Sequence, residues 1–180
     1  MTRPIAKFGA SVLRQRCVPV AQVDGATRQL VQDLFESMHA AEGVGLAAPQ
    51  LGQPLRVIVV DVSHQEPQNP PLALINPEIV ETAGVQIGDE GCQSFPELFG
   101  EVRRAEQVRV RYLDQRGAPA EVLATGFLSR ALQHEIDHLD GKLFIDLVNP
   151  LKRQLMRGSL RRLKKEGEAW DREHGGPGPR

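Results

Sequence analysis

Gln133-His134-Glu135-Ile136-Asp137-His138 is the stretch on which the reading of this chain turns. Two histidines four residues apart lie on one face of a helix, with Cβ atoms roughly 5–6 Å apart. Both imidazoles can then bind one metal ion, and a glutamate beside the first can move protons at a water on that ion. Working outward, Thr125 begins the helix and Leu139 ends it. One stripe carries Leu128, Leu132, Ile136 and Leu139; an adjoining face carries Phe127, Ala131, His134 and His138. A helix apolar over that much of its surface is buried on several sides. Its histidines need partners there, and a metal supplies one.

The third ligand decides the chemistry. Metalloproteases with H-E-x-x-H complete the site downstream, with a glutamate or a further histidine. Gly141 fits the longer pattern H-E-x-x-H-x-x-G, but the next expected histidine position is Phe144. Glu166 and Glu168 sit in a lysine-rich stretch that reads as a solvated helix. Cys92, in Glu90-Gly91-Cys92-Gln93-Ser94, is the better candidate. One thiolate and two imidazoles leave a fourth position open for water, as a catalytic metal requires. The plainer reading of Cys92 is a small buried hydrophobe. Gly43-Val44-Gly45-Leu46-Ala47-Ala48-Pro49-Gln50 is a further segment of interest. Its glycines let a ligand approach the backbone closely, and Gln50 offers an amide donor and acceptor. Alone it reads as a tight loop sooner than as a site.

Around these motifs the periodicity gives an α+β chain. Asp24 caps a helix from about residue 25 to 41, with Leu30, Leu34, Met38 and Ala41 on its buried face and Gly43 as its stop. Leu55 to Val62 is a buried strand followed by a surface loop over 63–71. Leu72 to Asn76 and Glu78 to Thr82 read as short strands interrupted by Pro77. Val108, Val110 and Tyr112 alternate with Arg109 and Arg111 in a half-buried strand. Asp114 to Gly117 turns, and Glu121 to Ala124 continues as strand. Lys142 to Leu147 reads as another strand, and Asn149-Pro150 opens a final helix. The lack of regular βαβ alternation points to α+β rather than a doubly wound sheet.

At 180 residues one domain is expected, over 1–170, with a disordered tail over 171–180 ending Glu173-His-Gly-Gly-Pro-Gly-Pro-Arg180. A formal charge of −1 argues against a generic polyanion binder and against specific DNA binding. Charge is nonetheless uneven: Lys152 to Lys165 holds seven basic residues and no acidic one. Leu151, Leu155, Leu160 and Leu163 would pack that helix on the body, leaving a solvated basic face or one that meets RNA phosphates. No apolar run approaches the ~20 residues of a membrane span, and none resembles a signal peptide. Two cysteines make no disulfide framework, so a reducing cytoplasm is expected.

Taken together and in this order, the Gly43–Gln50 segment, Glu90-Gly91-Cys92 and the His134 helix resemble the peptide deformylase family, over Ile5 to about Leu163. The resemblance implies an α+β fold with antiparallel sheets around the metal-bearing helix and a C-terminal helix. It implies removal of formate from the N-formyl-methionine of nascent polypeptides during protein biosynthesis. Cys92, His134 and His138 would hold one divalent metal, Fe(II) by the family's habit, with zinc, nickel or cobalt able to take the site. Glu135 would be the acid/base. Gln50 and the backbone N–H of Gln93 would stabilise the oxyanion, while Gly45 meets the peptide backbone. Val44, Phe127 and the surroundings of Glu90 would form the methionine pocket. The basic C-terminal helix would contact the ribosome. Gln93, Phe95 and Phe99 depart from the usual pattern and would make the cleft more polar or reshape it. Arg130, near the expected pocket, would either snorkel to solvent or alter substrate preference, and Arg104 would pair with Glu90 or stay exposed. The competing functions are an H-E-x-x-H endopeptidase and a ribosome-associated binding protein with a vestigial site.

Overall fold

The computed structural model describes residues 1–175. Its frame is an antiparallel five-stranded sheet with a separate two-stranded ribbon. The sheet strands are β1 (Gly45–Ala47), β2 (Val57–Val60), β3 (Leu72–Ala83), β6 (Gln107–Leu113) and β7 (Pro119–Thr125), in the spatial order β1-β2-β3-β6-β7. The ribbon is β4 (Gln86–Cys92) with β5 (Phe95–Arg104). Helices α1 (Gly25–Ala40) and α2 (Gly126–Leu139) pack on the sheet, and α3 (Pro150–Leu155) and α4 (Arg157–His174) follow.

The continuous apolar run of β2 has a direct cause. Val57 and Val59 pack with Leu30, Leu34 and Met38 of α1, while Ile58 and Val60 pack with Leu128, Leu132 and Ile136 of α2. A strand sandwiched between helices needs an apolar residue at every position. Leu132 is fully buried in this layer, so Leu132→Ala would cost about 2–5 kcal/mol. A third cluster, including Phe95, Phe144, Val148 and Leu163, fills the space beneath the ribbon.

Local chemistry sets the element ends. Asp24 caps α1, its carboxylate accepting from the Thr27 amide at 2.9 Å. The helix ends at Ala41, and the left-handed residue is Glu42 (φ 54°), one position before the expected Gly43. Gly43 instead donates its amide to the Met38 carbonyl at 2.9 Å.

Three expectations are corrected. Pro77 does not divide the 72–83 region: β3 runs through it with a register shift between Ile75 and Glu78. Asn76, at φ 52°, anchors that irregularity by exchanging hydrogen bonds of 2.8 and 2.9 Å with the backbone of Val20. Residues 142–147 form no strand; Phe144–Asp146 is a 3-10 turn that buries Leu143, Phe144 and Ile145 consecutively. The C-terminal helix is broken at Met156, so residues before and after the break do not share a face. Leu163 is buried, but Leu151 and Leu155 are 70% and 83% exposed rather than packed on the body. Asn149 does cap α3 through the Leu151 amide at 2.9 Å.

Order also extends past residue 170. Asp171 is buried and accepts from the amide of Ser11 with both oxygens at 3.0 Å, and α4 continues to His174. The expected disordered tail is therefore helical over 171–174; residues 176–180 lie outside the described residues. No helix of the described chain is long and apolar enough to cross a membrane.

Candidate metal centre

Two elements bring the predicted ligands together. Helix α2 presents His134 and His138 one turn apart, with ring centroids 5.1 Å from each other. The ribbon ends at Cys92, whose Sγ lies 3.4 Å from Nε2 of His138. The ligand atoms of Cys92, His134 and His138 all lie within 4.8 Å of one another. Ions bind such donors at about 2.0–2.3 Å, which sets tetrahedral ligands roughly 3.3–3.8 Å apart. The Cys92–His138 separation falls in that range, and one sulfur with two imidazoles is a donor set able to hold a single divalent cation.

Beneath His134 lies a buried polar cluster. Its Nδ1 donates to Glu90 Oε1 at 2.7 Å, so Nε2 is the ring atom left for a metal. Glu90 also accepts from Arg104 Nε (2.8 Å), Arg104 Nη2 (2.9 Å) and Arg130 Nη1 (2.7 Å). Four donors fill all the acceptor sites of one carboxylate. Burial would push its pKa up, but the bonds from Arg104 and His134 outweigh it and hold the group down at about 2. Arg104 continues the network to Asp137 on α2 at 2.5 Å.

Gln50 sits 1% exposed where the Gly43–Gln50 segment closes into a 3-10 turn. Its Oε1 accepts from the Ala47 amide at 2.9 Å, which aims Nε2 at Ser94 Oγ (3.1 Å) and Cys92 Sγ (3.6 Å). Glu135 faces the same centre. A Cβ at Gly45 would come within 2.5 Å of Glu135 Oε1, so that carboxylate lies on bare backbone. Its Oε2 is buried without a protein partner, and burial pushes the group up to about 7.

A cleft of about 420 Å³ opens onto these groups. Val44, Gly45, Gln50, Glu90, Gln93 and Phe127, the residues expected on the substrate side, all line it. A larger groove of about 900 Å³, lined in part by Arg16, Arg56 and Asp140, contains no such ligand set among the described residues.

The departures resolve individually. Arg104 pairs with Glu90 as one of the two expected alternatives. Arg130 does not snorkel: it is 5% exposed, with Nη1 on Glu90 and on the Val102 carbonyl and Nε on Gln86. Gln93 spends its polar end on the Ala41 carbonyl at 3.0 Å. Phe95 is buried between Phe8 and Phe144, with ring centroids at 5.0 and 5.1 Å. Phe99 is 64% exposed and its ring covers Gly91. Sequence reasoning missed Lys7, Ser94 and Asp137. Lys7 Nζ donates to the Gln93 carbonyl at 2.9 Å, between the Ala6 amide on the Gln50 carbonyl (2.8 Å) and the Phe8 amide on the Ser94 carbonyl (2.9 Å). The N-terminal segment thus ties the two loops of the site together. Asp137 was visible inside the helix motif; nothing local marks Lys7.

A cysteine sulfur, two imidazoles and a buried carboxyl group behind an open cleft define a metal-dependent hydrolase. The sequence matches the polypeptide deformylase family over residues 2–154. It is 48% identical over 155 residues to the peptide deformylase of Alkalilimnicola ehrlichii, covering 86% of each chain. It is 46% identical over 168 residues to that of Acidobacterium capsulatum, covering 93% of this chain and 99% of the other. The solved peptide deformylase of Thermus thermophilus superposes with a TM-score of 0.85 at 40% identity, covering 92% and 99%. The chain belongs to the peptide deformylase family, metal-dependent hydrolases that remove the formyl group from N-terminal formyl-methionine.

Proposed function

We propose that Cys92, His134 and His138 hold the metal of this hydrolase and that Glu135, Gln50 and the Gln93 amide carry out the reaction around it. The observation that carries this reading is the convergence of the three ligand atoms within 4.8 Å, beside a buried carboxylate oxygen with no partner. A divalent ion held there supplies Lewis acidity, which makes a water nucleophilic near neutral pH and polarises the formyl carbonyl. Glu135 takes the proton of the attacking water and delivers it to the departing amine. Gln50 Nε2 and the Gln93 backbone N–H donate to the developing oxyanion, and the buried Gln50 needs no rearrangement to do so. Glu90 fixes the ring of His134, and Gly45 leaves room for the Glu135 carboxylate. Val44, Phe127 and the surroundings of Glu90 receive the methionine side chain, while the peptide backbone runs strand-like past Gly45.

Fe(II) is the proposed ion; a mixed sulfur and nitrogen set also accepts zinc, nickel or cobalt. A cytoplasmic site of action on nascent chains accords with a chemistry that needs a reduced Cys92. The basic residues of α3 and α4 are proposed to meet ribosomal RNA, where phosphate contacts would make binding fall steeply with salt.

The test is formate release from formyl-Met-Ala-Ser by protein reconstituted anaerobically with iron, nickel or cobalt. Formate from the native chain, with both metal and activity lost in Cys92→Ala, is expected. Stoichiometric metal and full activity in Cys92→Ala would overturn the ligand assignment.

A further inference from the structure

Helix α2 carries the two histidines of the site, yet its own Thr125 side chain accepts no hydrogen bond from the first turn. The acceptor comes instead from the loop that follows β2. Glu66 Oε1 takes the Phe127 amide at 3.1 Å, from 61 positions upstream. A Cβ on Gly126 would lie 3.2 Å from that oxygen, tighter than an ordinary contact, so the glycine leaves room for the carboxylate. A negative group is favourable at this end of a helix. Glu66 is itself held on two other sides. Its amide donates to the Val62 carbonyl at 2.8 Å, and its Oε2 accepts from Asn69 Nδ2 at 2.7 Å. At its start the same loop grips a second backbone, the Asp61 amide donating to the Val44 carbonyl at 2.8 Å. Val44 and Phe127 both line the cleft, and Glu66 lies outside that lining.

We infer that Glu66 is a positioning residue: through the Phe127 amide it sets the width of the pocket for the first side chain of the substrate. The inference deepens the proposed function, because it rests on Val44 and Phe127 receiving that side chain. Residues 61–69 form one brace across both walls, pinned at Val44 by a main-chain bond and at Phe127 by a carboxylate. The Val44 end continues the pairing of Gly45 with Val60, so it is independent of side chains. The Phe127 end hangs on Glu66 alone. Without that carboxylate the first turn of α2 loses its acceptor and frays. A loosened wall holds methionine less well and rejects a branched side chain less strictly. His134 sits about two turns further along the helix, where Glu90 holds its ring, so the metal site keeps its geometry.

The test compares kcat/KM for formyl-Met-Ala-Ser and formyl-Leu-Ala-Ser by formate release. Glu66→Ala should raise KM for the methionine peptide about tenfold and leave kcat within about twofold. The same variant should lower the methionine-to-leucine ratio about fivefold. Glu66→Gln keeps an acceptor for the Phe127 amide and should restore KM and the ratio to within about twofold of native. Glu106→Ala is the control at the same helix end. Its Oε1 reaches the Gly126 amide at 3.2 Å, but that amide also bonds the Glu106 carbonyl at 3.1 Å. This variant should lower Tm without moving KM or the ratio. Asn69→Ala, which frees Oε2 alone, should move the ratio the same way by about twofold, and it carries the test if Glu66→Ala does not fold. A native KM and ratio in Glu66→Ala overturns the inference whatever the Tm, as does an equal shift in Glu106→Ala or a Glu66→Gln as impaired as Glu66→Ala. With Glu66→Ala unfolded, a native ratio in Asn69→Ala overturns it. In each of these cases formate release by the native protein still upholds the site. No formate from the native protein would remove the reading of the site, and this inference with it.

Discussion

The Glu90 carboxylate and the His134 imidazole, 44 residues apart in the chain, meet at 2.7 Å, and that contact fixes which ring nitrogen faces the metal. A metal-ligating histidine depends on such a partner for both tautomer and orientation. Glu90 is in turn held by two arginines from different elements, so the metal centre and the buried ion cluster form one connected unit.

Replacing Glu90 should therefore damage stability and metal retention together. Glu90→Gln leaves Arg104 and Arg130 buried with less compensation, which costs about 3–5 kcal/mol. Metal retained after dialysis against a chelator should fall about 10–100-fold in affinity terms. The pH dependence has a definite sign. The native carboxyl is held at about 2, below its ordinary 4.5, so its stabilising contribution is fully present above about pH 4.5. It is lost as pH falls from there toward 2. Denaturant melts should show native stability dropping across that window and a flatter acid profile in Glu90→Gln.

Gly45→Ala tests the seat of Glu135. The new Cβ would lie 2.5 Å from Oε1, inside any normal contact, so the carboxylate must move. Displacements of about 1 Å cost on the order of 100-fold in rate. Steady-state kinetics should show that loss in kcat, with metal content, read by elemental analysis, unchanged. A Gly45→Ala enzyme with native kcat would remove Gly45 from this role.

Gln50→Ala removes the donor proposed for the oxyanion. The expected fall is about 10²–10³ in kcat, with KM changed much less. Ser94→Ala, which takes away only an acceptor of the Gln50 amide, should cost far less. Equal losses in the two variants would mean that Gln50 acts by holding the loop, and circular dichroism would separate this from unfolding.

Gly167→Ala addresses the docking of α4. A Cβ there would run into the backbone of Ala10 and Phe8, and neither can step aside. Overpacking of this kind costs about 1–3 kcal/mol, or roughly 3–10 °C in Tm for a domain of this size. Because the Phe8 amide holds the Ser94 carbonyl, metal should also leave this variant faster in a chelator competition.

Where the sequence was informative, the signal was local and periodic. His134, Glu135 and His138 lie on one helix whose apolar spacing is legible without any other part of the chain, and Asp24 announces α1 in the same way. What stayed hidden depends on distant partners. Arg130 reads in sequence as either snorkelling to solvent or altering substrate preference, because Gln86, Glu90 and Val102, which hold its Nε and Nη1, come from the ribbon. Pro77 reads as a strand breaker because the support for Asn76 comes from Val20, 56 residues away. Leu143, Phe144 and Ile145 are buried in succession, a pattern common to a sandwiched strand and a 3-10 turn. The turn at Met156 has no sequence signature, so Leu151 and Leu155 were placed on the wrong side.

The clip made by Ala6, Lys7 and Phe8 bears on how this centre comes into being. Its Lys7–Gln93 contact alone closes a loop spanning 86 positions. Ring closures of that length come late in folding, after helices and hairpins have formed. In a refolding full-length chain the imidazole-bearing helix, a local element, would thus form before the thiol is fixed beside it, and cation capture becomes the final fastener of the native state.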